Sequence, residues 1–189
     1  TIGGPSVKTY QPDGIWEVTT SDRGLLANYV QDKGNDLYRR GMYQFIKRTV
    51  PPPVMLMFDA SNRDQCEVKR LNTNTPLQAL VMLNDPHVLE ASRVLAEHLI
   101  AQEDLEISDK IENAFSRIVC RPIQKEEEKL FEDYFEEELT NFQTFPEEAE
   151  HLLASGEYPR NNDLDSATTA AFMQVVHLMY NMEETLTKT

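Results

Sequence analysis

The stretch Thr75-Pro76-Leu77-Gln78-Ala79-Leu80-Val81-Met82-Leu83-Asn84-Asp85-Pro86 contains two helix starts in succession. Thr75 can cap, Pro76 suits the first helical position because it has no N–H to leave unpaired, and Gln78 can complete a capping box. Asp85-Pro86 repeats the cap-then-proline order, so the first helix is short and ends at Asn84. Val88, Ala91, Leu95 and Leu99 give the second helix an apolar stripe, and it runs to about Ala101. The centre of the chain therefore reads as helical.

Downstream the same period continues. Ile107, Ile111, Ala114, Phe115 and Ile118 outline a helix broken before Pro122. Residues 124–139 read as a strongly acidic helix with Leu130, Phe131, Tyr134, Phe135 and Leu139 on its apolar side. A short helix from Glu147 to Ala154 is closed by Gly156, and Tyr158–Asn162 is a loop. The last helix spans about Asp165 to Asn181, with Ala171, Val175, Leu178 and Met182 on one face.

Upstream, Asn35 or Asp36 caps an expected helix that carries Tyr38, Met42, Phe45 and Thr49 on one side and Arg40, Gln44 and Lys47 on the other. Pro51-Pro52-Pro53 ends it. Val54–Phe58 is a short buried segment of either type, and Asp59–Asp64 is a turn-rich loop. Cys66–Arg70 alternates as an edge strand or extended segment would. Residues 1–34 are irregular, with turns at Gly3-Gly4-Pro5-Ser6 and Gln11-Pro12-Asp13-Gly14, and Trp16 and Tyr10 pin this arm across another surface. The expected fold is mainly α: an irregular multi-helix domain with an extended N-terminal arm and at most a short strand pair. It is expected as one domain over 1–189, with a motif-rich centre at 34–101 and an acidic helical part at 102–189. Leu37–Val50 and Thr75–Ala101 would form its packed centre.

The 189 residues, 40% hydrophobic and 26% charged, support a packed core rather than wholesale disorder. The longest apolar runs, Val54–Phe58 among them, have five residues, so no membrane span is expected. The net charge of −14 speaks against a nucleic-acid partner. Residues 1–100 hold 11 basic and 11 acidic side chains, whereas residues 101–189 hold 7 and 21 and carry the whole imbalance. The two halves are expected to do different things. A chain that begins with Thr1 reads as a processed product or a piece of a larger protein.

Composition and spacing also exclude several chemistries. Cys66 and Cys120 are too few for a zinc site or an iron–sulfur cluster, and no C-x-x-C-H haem motif is present. A disulfide between them is geometrically open, but their apolar neighbours fit simple burial better. His87 and His98 share a helix face about 16 Å apart along the axis, while His151 and His177 sit on other helices. Glu126-Glu127-Glu128 and Glu136-Glu137-Glu138 point around a helix rather than at one ion, which suits a solvated face. No Ser–His–Asp elbow, P-loop or dinucleotide fingerprint occurs. The methionines fall in apolar stretches and read as core filler. No metal, no cofactor and a colourless protein are expected.

Several motifs resemble a known bacterial family. They are Leu37-Tyr38-Arg39-Arg40 with Phe45, Lys47-Arg48-Thr49-Val50-Pro51-Pro52-Pro53, Phe58-Asp59-Ala60, Asn62-Arg63 and Cys66-Glu67-Val68. The most specific is Asn72-Thr73-Asn74-Thr75-Pro76-Leu77-Gln78-Ala79-Leu80 with Leu83-Asn84-Asp85-Pro86, and the ending Asn181-Met182-Glu183-Glu184-Thr185-Leu186-Thr187 fits as well. The chain resembles the planctomycete-cytochrome-associated C-terminal domain, domain of unknown function fifteen-fifty-three, over Gly3 to Thr187. The resemblance implies the C-terminal portion of a domain in a large secreted or periplasmic bacterial protein, with a cytochrome-c-like module upstream as partner. It carries over no catalytic residue. The family pattern also leads us to expect glycine where Cys120 stands, before Arg121-Pro122.

The chemically loaded stretch is Leu37 to Asp85. Arg39, Arg40, Arg63 and Arg70 with Asn74, Gln78 and Asn84 could bind a polar or anionic small ligand, since arginine forks take carboxylates and sulfate-like anions in bidentate fashion. Asp59 or Asp85 would then be the acid or base of an extracellular enzyme acting on carbohydrate or another polar substrate. The competing reading pairs Arg39, Arg63 and Arg70 with Asp36, Asp59 and Glu67 to fix loops. The sequence favours that second reading and an accessory or interaction domain with no catalysis by this chain alone.

Overall fold

The computed structural model describes residues 3–17, 29–47, 49–61, 66, 68, 69 and 73–187. The fold is mainly helical. Internal contacts gather into two compact units, Thr1–Thr73 and Asn74–Thr189, so the motif-rich stretch 34–101 contributes to both.

In the first unit the N-terminal arm pairs with residues 43–45. The Val7 N–H donates to the Tyr43 carbonyl at 2.9 Å, and the Phe45 N–H donates to the Val7 carbonyl at 2.7 Å. This forms a single parallel bridge between Val7 and Gln44. Lys8 and Asp32 exchange two further bonds: the Lys8 N–H donates to the Asp32 carboxylate at 2.7 Å, and the Asp32 N–H donates to the Lys8 carbonyl at 2.9 Å. The arm is pinned by Trp16, which is fully buried. Tyr29 meets its ring edge-on at 4.8 Å, Phe45 lies at 5.5 Å, and the Lys47 ammonium stands 5.2 Å from the ring centroid. Replacing such a ring by alanine costs about 3–5 kcal/mol.

The expected helix over 35–50 does not form. Two 3-10 turns, Gly34–Tyr38 and Gly41–Tyr43, bury Leu37, and the chain then runs extended from Gln44. Gly34 sits at φ 62° and Gly41 falls inside the stripe, both poor helix positions. The decisive competitor is non-local: Val7 satisfies the backbone at Tyr43 and Phe45, which leaves Met42 61% exposed instead of on a buried stripe. The proline run begins a helix rather than only ending one, since Pro53 opens α1 (Pro53–Met57). Within the 66–70 stretch, Cys66, Val68 and Lys69 are described, all exposed and outside any strand, while Glu67 and Arg70 lie outside the described residues.

The second unit holds α2 (Pro76–Asn84), α3 (Pro86–Ile100), α4 (Ile107–Val119), α5 (Lys125–Thr144), α6 (Pro146–Leu153), α7 (Ser166–Tyr180) and α8 (Glu183–Leu186). The Thr75 capping box and the Asp85 cap both form as their residues dictate. The centre of this unit is α7, which packs against α3, α4, α5, α6 and α8. Nine of its fifteen residues are buried, as expected of a helix that is apolar nearly all round. Phe135 meets Phe172 edge-on at 6.1 Å, and Phe115 tilts against Phe131 at 6.0 Å. Leu130, expected on the buried side of α5, is 57% exposed, whereas Phe131, Phe135 and Phe142 are buried.

The stripe on α3 is rotated from its expected position. Ala91 is exposed, and the helix instead buries Glu90, Ser92, Arg93, Ala96, Glu97 and Leu99. Three charged side chains displace the apolar logic because they have partners inside. The two cysteines are free and exposed rather than buried. Cys120 ends α4 in the left-handed conformation at φ 61°, ψ 28°, which is the physical reason a glycine is expected there. No helix among the described residues is long and apolar enough to cross a membrane.

Candidate functional site

In the first unit Arg39 is held by its own neighbourhood. One guanidinium nitrogen bonds the Asp36 carboxylate and another donates to the Pro5 carbonyl at 2.5 Å, which fastens the arm. Arg40 is exposed. Asp59, at φ 53°, accepts from the Thr73 N–H at 2.8 Å and from the Thr73 hydroxyl at 2.7 Å. Those bonds, the hydroxyl's first, hold its carboxyl below the ordinary aspartate range. Arg63 and Arg70 lie outside the described residues.

In the second unit Gln78, Asn84 and Asp85 serve helix ends. Gln78 is buried and accepts from the Thr75 N–H at 2.9 Å, while its own N–H donates to the Thr75 hydroxyl at 3.4 Å. Asn84 is exposed and donates to the Leu80 carbonyl at 2.8 Å. Asp85 accepts from the His87 N–H at 2.9 Å, with the His87 ring Nδ1 at 3.2 Å. Burial acts to raise the Asp85 carboxyl, but the His87 ring and the backbone donors of α3 outweigh it and hold it low. Asn74 is exposed. Each described group is thus engaged locally or faces solvent.

The polar cluster that residue patterns missed lies on α3. Arg93 has a side chain only 1% exposed and divides its guanidinium among three acceptors. Nη1 donates to Glu97 at 2.7 Å, Nε to the Ser155 carbonyl at 3.2 Å, and Nη2 to the Tyr158 carbonyl at 2.6 Å. Glu90 is also buried and accepts from the Tyr158 N–H. Gly156, at φ 81°, passes directly over the Glu90 carboxyl. The available signal was the 90/93/97 spacing, which puts three charges on one face, but a solvated face has the same pattern.

This clamp continues outward. Arg160 forks onto Glu150 at 2.6 and 3.1 Å and donates to the Ser166 hydroxyl at 2.9 Å, tying α6 to the start of α7. Arg160 thereby holds the Glu150 carboxyl down at about 2. At the turn after α4, Arg121 forks onto Glu127 at 2.7 and 2.8 Å and also reaches Glu184 at 2.8 Å. Arg121 lowers the Glu127 carboxyl to about 2. His177, buried on α7, has Nε2 at 2.9 Å from the Met82 carbonyl and must carry its proton there to donate. Among the described residues, no three His, Cys, Asp or Glu side chains gather so as to hold a metal ion. The arrangement can fix loops and helix ends; among the described residues it brings no acid–base pair over a cleft.

A family model described as PSD1, protein of unknown function (DUF1553), matches residues 1–135, through the first unit and into α5. No curated protein and no solved structure matches the chain.

Proposed function

The chain belongs to the PSD1 family of proteins of unknown function (DUF1553), and on that premise we propose that it is a non-catalytic interaction module. Its setting, in this reading, is a large secreted or periplasmic bacterial assembly with a cytochrome-c-like module upstream, of which this chain is a C-terminal portion. One observation carries the reading. Of the described side chains suited to bind or turn over a polar substrate, Arg39, Asp59, Gln78, Asn84 and Asp85 are already bonded to backbone or side chains of their own unit, and Arg40 and Asn74 face solvent. Asp59 and Asp85 are held below the ordinary carboxyl range, the reverse of what a general acid near neutral pH requires.

The test is turnover. The purified protein, incubated with polysaccharides and sulfated sugars, should release neither reducing ends nor sulfate above blank. Turnover that disappears in Asp59→Asn or Asp85→Asn overturns the module reading in favour of a polar-substrate enzyme.

A further inference from the structure

The packing of α5 against α7 has a wet side as well as a dry one. Phe135 and Phe172 fill the inner side. On the outer side Leu130 and Leu178 remain 57% and 37% exposed, and with Tyr134 they floor a groove of about 400 Å³ edged by Glu126, Asp133 and Glu137. A second hollow of about 550 Å³ begins at the neighbouring Glu138, floored by Phe142 and Leu152 and edged by Glu147 and Glu148. Six carboxylates border the two hollows, against Lys129 and His151 as the basic groups.

These acids are crowded but not focused. Burial and the adjacent Glu137 push the Glu138 carboxyl above the ordinary range, and burial together with Glu138 and Glu137 raises the Tyr134 hydroxyl. No three of them converge as a metal site would require. From Glu126 to Glu138 the row extends about 18 Å along α5. A single small cation cannot neutralise such a row, whereas cations repeated along an extended partner can.

We propose that the furrow between α5 and α7 docks a basic amphipathic helix of a partner protein. An aliphatic side chain of the partner seats between Leu130 and Leu178, and its lysines or arginines face the carboxylates along α5 and, at the end of the row, Glu147 and Glu148 on α6. The acidic edges steer approach, and the buried aliphatic anchor supplies the hold. This inference rests on the interaction-module reading and assigns the module its surface and its class of partner.

The probe is a fluorescein-labelled leucine–lysine peptide with helical spacing, about four turns long, read by anisotropy against the same peptide carrying glutamate for lysine. The lysine peptide should bind and the glutamate peptide should not. Leu130→Ser with Leu178→Ser, both exposed positions, should keep the helical circular dichroism and weaken binding about tenfold or more. Glu126→Gln with Glu137→Gln should weaken binding and flatten its salt dependence. Glu103→Gln with Asp104→Asn removes the same number of charges from the 101–105 loop and should change little. Equal effects of the two charge-removing pairs, or full binding by the serine variant, would show diffuse attraction and overturn the furrow. Absence of binding also overturns it but leaves the wider reading, which falls only to the turnover assay.

Discussion

Glu90 and Gly156 share a space that admits no further atom: a Cβ at position 156 would stand 2.4 Å from the Glu90 carboxyl carbon. The glycine also holds φ at 81°, where an L side chain is strained. Gly156→Ala therefore costs twice, once in backbone strain and once in displacing a buried carboxylate from the Tyr158 N–H. The expected loss is about 2–4 kcal/mol, read as a lower urea midpoint at unchanged slope.

Arg93 is the other half of this clamp. Arg93→Ala strands the buried Glu97 carboxylate and the Ser155 and Tyr158 carbonyls, so the expected cost is about 3–5 kcal/mol. Arg93→Ala combined with Glu97→Ala should cost clearly less than the sum of the two single changes. Strict additivity in a double-mutant cycle would show that the pair is not coupled.

Cys120 occupies a left-handed helix end that glycine adopts without strain. Cys120→Gly should raise stability by about 1 kcal/mol and remove an exposed thiol. A fall in melting temperature would show that the sulfhydryl, 4.0 Å from the Arg117 carbonyl, contributes more than the strain it accompanies.

The Arg121–Glu127 fork sets an acid limit. Glu127 drops from the ordinary 4.5 to about 2 on folding, so the unfolded chain takes up its proton first as pH falls. The stabilisation is complete above about pH 4.5 and is lost as pH falls through about 2. The gap in melting temperature between the protein and Glu127→Gln should be flat near neutrality and close over that window. A gap that persists unchanged below it would remove the fork as the cause.

Local signals were legible in the sequence and non-local ones were not. Thr75-Pro76 and Asp85-Pro86 define the starts of α2 and α3 because cap and proline act within one turn. The period-based helices from α4 to α7 survive because their apolar stripes face one core. The stretch after Asn35 has helical spacing too, but its backbone is claimed by Val7, far away in the chain, and no window over 35–50 contains that information. On α3 the apolar stripe misled for a different reason. Arg93 and Glu97 satisfy each other, so their charge does not keep them at the surface. Of the candidate site, the Arg39–Asp36 pair was readable from its three-residue spacing. The roles of Gln78 and Asp85 as helix-end donors and acceptors follow from the same capping logic that located the helices.

Trp16 is the protein's single indole, and it lies wholly within the first unit, enclosed by Tyr29, Phe45 and Lys47. The long helices belong to the second unit. Intrinsic fluorescence is thus a private reporter of one unit, and far-ultraviolet dichroism is dominated by the other. A denaturant titration followed by both optical signals on one sample separates their unfolding without any label. Superposition of the two curves means that the chain melts as one cooperative body, and divergence gives each unit its own midpoint.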